Sequence, residues 1–111
     1  MKQAETLGRL FARYVQAQEV ATENKTLQGN YYASLMGSPS TVLPSVRKLY
    51  SKYVRQLQKD NRADILKRVG ALEAELGTDI PARLTSDEQC LFIAGYASEE
   101  QDRYTSKKQE P

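Results

Sequence analysis

Basic side chains recur at three- and four-residue intervals in the middle of this 111-residue chain, where they could bind a row of anions. Projected on a helix, they occupy an arc of roughly 80° opposite the apolar side chains. They are Lys48, Lys52, Arg55, Lys59 and Arg62. At ~1.5 Å per residue their span is about 21 Å, comparable with about six stacked phosphates at ~3.4 Å each. The row permits contact with nucleic-acid phosphates, and the pattern alone leaves open the alternative of a basic face that is only solvated.

The net charge of +2 conceals two blocks of opposite sign. Residues 44–68 carry eight basic and two acidic side chains, a balance of +6, whereas residues 69–102 carry eight acidic side chains and one arginine, a balance of −7. A strongly basic block in a nearly neutral chain predicts a localised anion-binding surface. The two blocks also predict head-to-tail association of copies. Alternatively, they neutralise each other within the fold.

Catalytic and metal-binding side chains are scarce in this sequence. It contains no histidine and a single cysteine, Cys90, so the usual general base and an internal disulfide are both missing. We therefore expect no catalytic residue, no cofactor and no metal site, and we expect Cys90 to be a small core residue. No apolar stretch is long enough for a membrane span, and the N-terminus lacks an apolar signal core. The sequence thus predicts a cytoplasmic protein without membrane contact.

Tyrosines are the side chains that could stack on unpaired bases, but packing in the core is the favoured interpretation for most of them. Tyr50 and Tyr53 lie on the apolar face of their predicted helix, and Tyr96 lies within an apolar run. Tyr31 and Tyr32 are adjacent, which leaves one of the two available for exposure.

Apolar residues recur at helical spacing throughout the chain, and no alternating strand pattern of useful length occurs. The periodicity predicts helices over residues 3–24, 27–36, 44–60 and 62–76, with a kink or restart at Pro44. A capping box formed by Thr85 and Glu88 predicts the start of a fifth. The sequence therefore predicts an all-α protein, a compact bundle of about five helices in one domain over residues 1–104, followed by a frayed tail over residues 105–111.

The fifth predicted helix contains the most apolar part of the chain. Residues 90–97 read CLFIAGYA and are apolar or small on every side, which predicts a helix buried in the middle of the bundle. Gly95 within this run is expected to permit a close helix crossing.

Four blocks of the sequence, taken in order, resemble one protein family. They are LGRLFA (7–12), YY (31–32), GSPSTVLPSVRKL (37–49) and LTSDEQCLFIAGYASEEQ (84–101). They resemble the C-terminal region of the type I-C CRISPR large-subunit family, and hence the small subunit of the type I-C Cascade complex. The resemblance spans residues 7 to about 107.

This resemblance implies a non-enzymatic helical subunit, present in more than one copy along an RNA-guided complex. It implies contacts with the CRISPR backbone and large subunits and with the guide RNA. It further implies support of the target DNA strand and especially of the displaced non-target strand. The resemblance adds two residues to the predicted nucleic-acid-binding set. They are Arg9 in the first block and Arg47 in the third block, which also contains Lys48.

Other functions are compatible with the sequence. The main alternative is a helical protein-protein interaction module that joins partners through its acidic and basic blocks without touching nucleic acid. A helix-turn-helix regulator is less favoured, because the basic helix follows a proline-containing break of several residues instead of a tight turn. An enzyme is least favoured, since no catalytic constellation is recognisable.

Overall fold

A computed structural model describes the backbone of residues 2–109 and the side chains of residues 3–102. All regular secondary structure in this part of the chain is helical. The five helices are α1 Lys2–Thr22, α2 Thr26–Gly37, α3 Pro39–Val54, α4 Lys59–Leu76 and α5 Ser86–Gln109. The prediction of an all-α bundle of about five helices is confirmed. Within residues 2–109, none of these helices combines the length and the apolar content that a membrane span requires.

The C-terminal end bears on the predicted domain boundary. The backbone of α5 is helical as far as Gln109, while side chains beyond residue 102 lie outside the described residues. The boundary at residue 104 and the frayed tail over residues 105–111 therefore stay predictions.

Helix α1 lies at the centre of the bundle and packs against each of the other four helices, with its longest contact along α5. Leu10, Phe11, Tyr14 and Val15 are fully buried. Small residues on the remaining sides of α1, including Ala12 and Ala17, are also buried and let neighbouring helices approach from several directions. The apolar periodicity of α1 thus supplies the centre of the core, around which the other helices pack.

Two glycines lie where α1 and α5 cross. A Cβ atom placed on Gly95 would overlap the backbone carbonyl of Glu5 in α1, and one placed on Gly8 would overlap the carbonyl of Phe92 in α5. Because both positions lack a side chain, the two backbones approach more closely than alanine would permit. The expectation for Gly95 is confirmed, and Gly8 is its counterpart on the opposing helix.

The start of α3 differs from the prediction. The helix begins at Pro39, in the favoured first-turn position, and continues through Pro44 without a restart. The amide of Ser40 is satisfied by the carbonyl of Pro81 at 3.1 Å. Ser40 and Pro44 are both exposed, so water can satisfy the Ser40 carbonyl that Pro44 cannot bond. The predicted restart at Pro44 is therefore wrong, and the start of α3 lies five residues earlier than predicted.

The end of α3 also differs from the prediction. The helix stops at Val54 instead of about Asp60. A turn follows, in which the amides of Gln56 and Leu57 each donate a hydrogen bond to the carbonyl three residues earlier. Buried Leu57 anchors this turn in the core, and the extended backbone of Gln58 then begins α4. Residues 59 and 62 consequently belong to α4, which starts earlier than the predicted residue 62.

Helix α5 begins as predicted. The hydroxyl of Thr85 accepts a hydrogen bond from the Glu88 amide at 3.2 Å, and the Glu88 carboxylate accepts one from the Thr85 amide at 2.8 Å. The capping box is therefore confirmed, because both groups of the pair satisfy an amide that the first turn leaves free.

The apolar run of α5 is buried on one face only. Phe92, Gly95 and Tyr96 face the core, whereas Ile93 is 45% exposed. Cys90, Ala94 and Ala97 are exposed as well. The prediction of a helix buried on every side is wrong, because α5 packs on the outside of α1 and so meets the core along a single face. The prediction of a core position for Cys90 is wrong for the same reason.

Candidate nucleic-acid interface

A groove of about 450 Å³ runs between α2 and α3. Tyr31 from α2 forms one side, and five residues of α3 and its C-terminal end form the other: Ser45, Lys48, Leu49, Lys52 and Arg55. We call this the basic groove. It brings together three of the seven predicted nucleic-acid-binding residues with one aromatic side chain.

The position of the groove residues follows from the amphipathic character of α3. Val46 and Tyr50 are buried and fix one face of the helix against the core. Residues spaced by three and four positions on the opposite side then share one exposed face. From Lys48 to Arg55 the rise is about 10 Å at ~1.5 Å per residue, enough for about three stacked phosphates at ~3.4 Å each.

The three cations of the groove have no acidic partner among the side chains that the structure describes. The Nζ of Lys52 lies 5.8 Å from the centroid of the Tyr53 ring, and Nε of Arg55 donates a 3.0 Å hydrogen bond to the Ser51 carbonyl. Lys48, Lys52 and Arg55 are all exposed. Their charges are therefore available to an anion from outside the chain.

Lys59 and Arg62 do not continue this face. The projection assumed one helix as far as Arg62, but α3 ends at Val54 and both residues lie on α4 beyond the turn. The Nη2 of Arg62 donates a 2.9 Å hydrogen bond to the carbonyl of Leu57, where it satisfies a backbone acceptor of the turn. The predicted row of five basic residues on one helix is wrong, and its first three members form the groove.

Arg47 is engaged within the fold. Its guanidinium donates two hydrogen bonds to the carboxylate of Glu73 on α4, at 2.6 and 3.1 Å. The Tyr14 hydroxyl donates to the same carboxylate at 2.5 Å. Burial and the bond to Glu73 raise the pKa of Tyr14, and the Glu73 hydrogen bond raises the pKa of Arg47. This two-point pairing leaves Arg47 less free to bind a phosphate than its neighbour Lys48.

Arg9 also lies against a carboxylate, that of Glu99 on α5. Glu99 is completely buried and receives hydrogen bonds from Arg13 at 2.5 Å and from Arg68 at 2.7 and 2.8 Å. The Nη1 of Arg9 approaches it at 3.8 Å, and Arg9 also lies 4.0 Å from Glu5. We call Glu99 and its three arginines the arginine cage. It joins α1, α4 and α5, and it gives Arg9 a role inside the fold.

Electrostatics within the cage keep Glu99 ionised. Burial alone would raise its pKa, but the hydrogen bonds from Arg68 and Arg13 outweigh burial and hold the pKa below its usual value. The Arg68 to Glu99 and Arg47 to Glu73 pairs each join a basic residue of 44–68 to an acidic residue of 69–102. The two charge blocks thus partly neutralise each other within the fold, and head-to-tail association of copies stays a prediction.

The tyrosines are placed largely as expected. Tyr50 and Tyr96 are buried, Tyr53 is half-buried, and Tyr32 packs edge-on against Phe92 and Tyr96. Tyr31 is the member of its pair that lines the basic groove, where it is half-exposed. Tyr104 lies outside the described side chains.

Metal-ligating side chains do not converge in the part of the chain that the structure describes, where no group of three or more acidic or cysteine residues could hold an ion. The family model described as CRISPR-associated protein (Cas_Csd1) matches residues 2–104 and so covers nearly the whole chain. No curated protein sequence matches the chain significantly.

Proposed function

The chain belongs to the CRISPR-associated Cas_Csd1 family, and on that premise we propose that it is a non-catalytic small subunit of an RNA-guided type I-C surveillance complex. In this role it lines the complex and supports the DNA of the R-loop, especially the displaced non-target strand. Recognition of sequence is left to base pairing with the guide RNA.

The observation that carries this proposal is the basic groove. Lys48, Lys52 and Arg55 extend over about 10 Å of one exposed helix face at ~1.5 Å per residue, and no described carboxylate neutralises them. Like charges at this spacing cost a helix a few tenths of a kcal/mol per pair, so the fold gains nothing from placing them together. A polyanionic strand in the groove would supply the missing counter-charges.

A role without catalysis agrees with the chemistry of the groove. Lysine and arginine side chains bind phosphate oxygens but supply no general base near neutral pH, and the chain contains no histidine. Such contacts hold a backbone without reading bases. We therefore expect the subunit to increase the affinity of the complex for DNA while leaving its sequence preference unchanged.

The second candidate is a protein-protein interaction module that does not contact nucleic acid. The exposed face of α5 favours it, because Cys90, Ile93, Ala94 and Ala97 form an uncharged strip on the surface. The charge blocks favour it less, since Arg47 and Arg68 are paired with acidic residues of the same chain.

Purification of the chain from its native host tests membership of the complex. We expect a guide RNA and several CRISPR backbone subunits to co-purify with it at moderate salt. Purification of the chain alone, or with proteins that carry no guide RNA, would contradict the proposal.

Replacement of Lys48, Lys52 and Arg55 by alanine tests the groove itself. We expect target-DNA affinity of the assembled complex to fall roughly 10- to 100-fold at about 0.15 M salt, the loss implied by three phosphate contacts. A variant with Lys59, Lys67 and Arg83 replaced by alanine is the control, because it removes the same charge from exposed residues outside the groove. Equal losses of DNA affinity in the two variants would mean that net charge alone causes the effect. That result would contradict a groove-specific role.

A further inference from the structure

The basic groove is not lined by charge alone. Tyr31 and Leu49 contribute an aromatic ring and an apolar side chain to the same surface as the three cations, and Ser45 contributes a hydroxyl. Both Tyr31 and Leu49 are only half-buried, although each packs partly against the core. A surface that bound phosphates only would gain nothing from exposing these two apolar side chains.

We propose that the basic groove binds an unpaired nucleic-acid strand in which one base stacks on Tyr31, while Lys48, Lys52 and Arg55 hold the neighbouring phosphates. This inference rests on the proposed function, which already brings an unpaired strand to the subunit, and it adds a base contact by Tyr31 to the phosphate contacts of the groove. Tyr31 is the residue that distinguishes an unpaired strand from a duplex.

The distinction follows from which base faces are accessible. In a duplex, each base is covered on both sides by its stacked neighbours, so a surface tyrosine meets sugars, phosphates and base edges but no base face. In an unpaired strand a base can turn out of the stack and expose a face to an aromatic ring. Stacking of this kind tolerates any sequence, because every base has a π-face.

The geometry of the groove fits such a strand. Tyr31 lies across the groove from α3, so a base against its ring would leave the attached backbone facing the cations of α3. The volume of about 450 Å³ falls within the range of small-ligand sites, roughly 300 to 1,000 Å³. Leu49 would contact the second face or edge of the base, and Ser45 can donate to or accept from a polar base edge.

Substitution of Tyr31 in the full chain tests this inference. Binding of a short labelled oligothymidylate and of a duplex of equal length is measured by fluorescence anisotropy at about 50 mM salt, where phosphate contacts are strong. We expect Tyr31→Leu to weaken single-strand binding roughly 5- to 150-fold, the effect of losing one stacked base. We expect Tyr31→Phe to stay within about twofold of wild type, and duplex binding to be unchanged in both variants.

The outcomes separate this inference from the proposed function. If Tyr31→Leu leaves single-strand binding unchanged, or weakens strand and duplex equally, the stacking role is overturned. If the alanine variant of Lys48, Lys52 and Arg55 still loses affinity in that case, the proposed function survives. If the alanine variant also binds like wild type, both proposals fail.

A crosslinking measurement on the wild-type chain makes the result independent of any folding defect in Tyr31→Leu. A single strand that carries 5-bromouracil is irradiated in complex with the chain, and the modified residue is mapped by mass spectrometry. We expect attachment at Tyr31. Attachment only at other tyrosines would overturn the inference.

Discussion

The Gly95→Ala variant is expected to unfold at a much lower urea concentration than wild type, with a loss of about 3 kcal/mol in the free energy of unfolding. The added methyl group would overlap the Glu5 carbonyl of α1, which belongs to a helix backbone and cannot rotate away as a side chain does. The whole α1 and α5 interface would have to separate, and this interface is the longest helix contact in the bundle.

Gly70→Ala is the matched control for this prediction. Gly70 lies within α4, and a Cβ atom added there meets nothing within 4 Å. The same substitution should therefore stabilise the protein by about 0.5 to 1 kcal/mol through helix propensity. A Gly95→Ala variant as stable as Gly70→Ala would show that the two helices do not cross closely.

Glu99→Gln is expected to lower the free energy of unfolding by about 3 kcal/mol or more at neutral pH. The substitution keeps the shape of the side chain but removes the charge that compensates Arg9, Arg13 and Arg68 in the arginine cage. Glu100→Gln is the control at the next position. Glu100 is partly exposed and pairs with Lys25 at 3.1 Å, so its loss should cost no more than about 1 kcal/mol.

The pH dependence of this effect has a definite sign. The pKa of Glu99 is lower in the folded chain than its usual value of about 4.3, so the cage contributes stability above that pH and loses it as the pH falls further. The gap between wild type and Glu99→Gln in urea unfolding should therefore shrink when the pH is lowered from 7 to below about 4. A gap that stays constant over this range would contradict ionic stabilisation by Glu99.

Much of the architecture follows directly from local sequence signals. The helical spacing of apolar residues predicts all five helices, the Thr85 and Glu88 pair predicts the start of α5, and Gly77 ends α4 with a positive φ of 80°. The family resemblance read from the four sequence blocks is also confirmed, since the Cas_Csd1 model matches residues 2–104. These features depend on neighbouring residues or on contiguous blocks, which a sequence displays.

The break between α3 and α4 was predicted near residue 61 and lies instead at residues 55–58, because no glycine or proline marks the chain between Val54 and Lys59. The chain turns there by burying Leu57 in the core, which is a tertiary effect, and the Leu57 carbonyl accepts a hydrogen bond from Arg62 five residues later. One signal was present, because after Leu57 no large apolar side chain occurs until Ile65. That gap indicates that the apolar face of one helix has ended.

The arginine cage was also missed, since its members lie on three helices and are up to 90 positions apart in the sequence. By sequence position, Glu99 belongs to the polar segment that follows the apolar run of α5. Its spacing of seven residues from Phe92 places it on the buried face of that helix, and a charge on such a face predicts a buried partner. Arg9 and Arg47 were predicted as nucleic-acid contacts from the family resemblance, and that role stays a prediction. Their pairing with the distant carboxylates of Glu99 and Glu73 cannot be read from spacing.

The salt dependence of target-DNA binding tests the central claim most directly. The assembled complex is titrated with target DNA at several salt concentrations, first with wild-type chain and then with Lys48, Lys52 and Arg55 replaced by alanine. At ~0.7 per single-strand phosphate contact, loss of three contacts should lower the slope of log affinity against log salt by about 2, with little change in sequence preference. An unchanged slope in a fully assembled complex would contradict the claim that this groove holds a nucleic-acid strand.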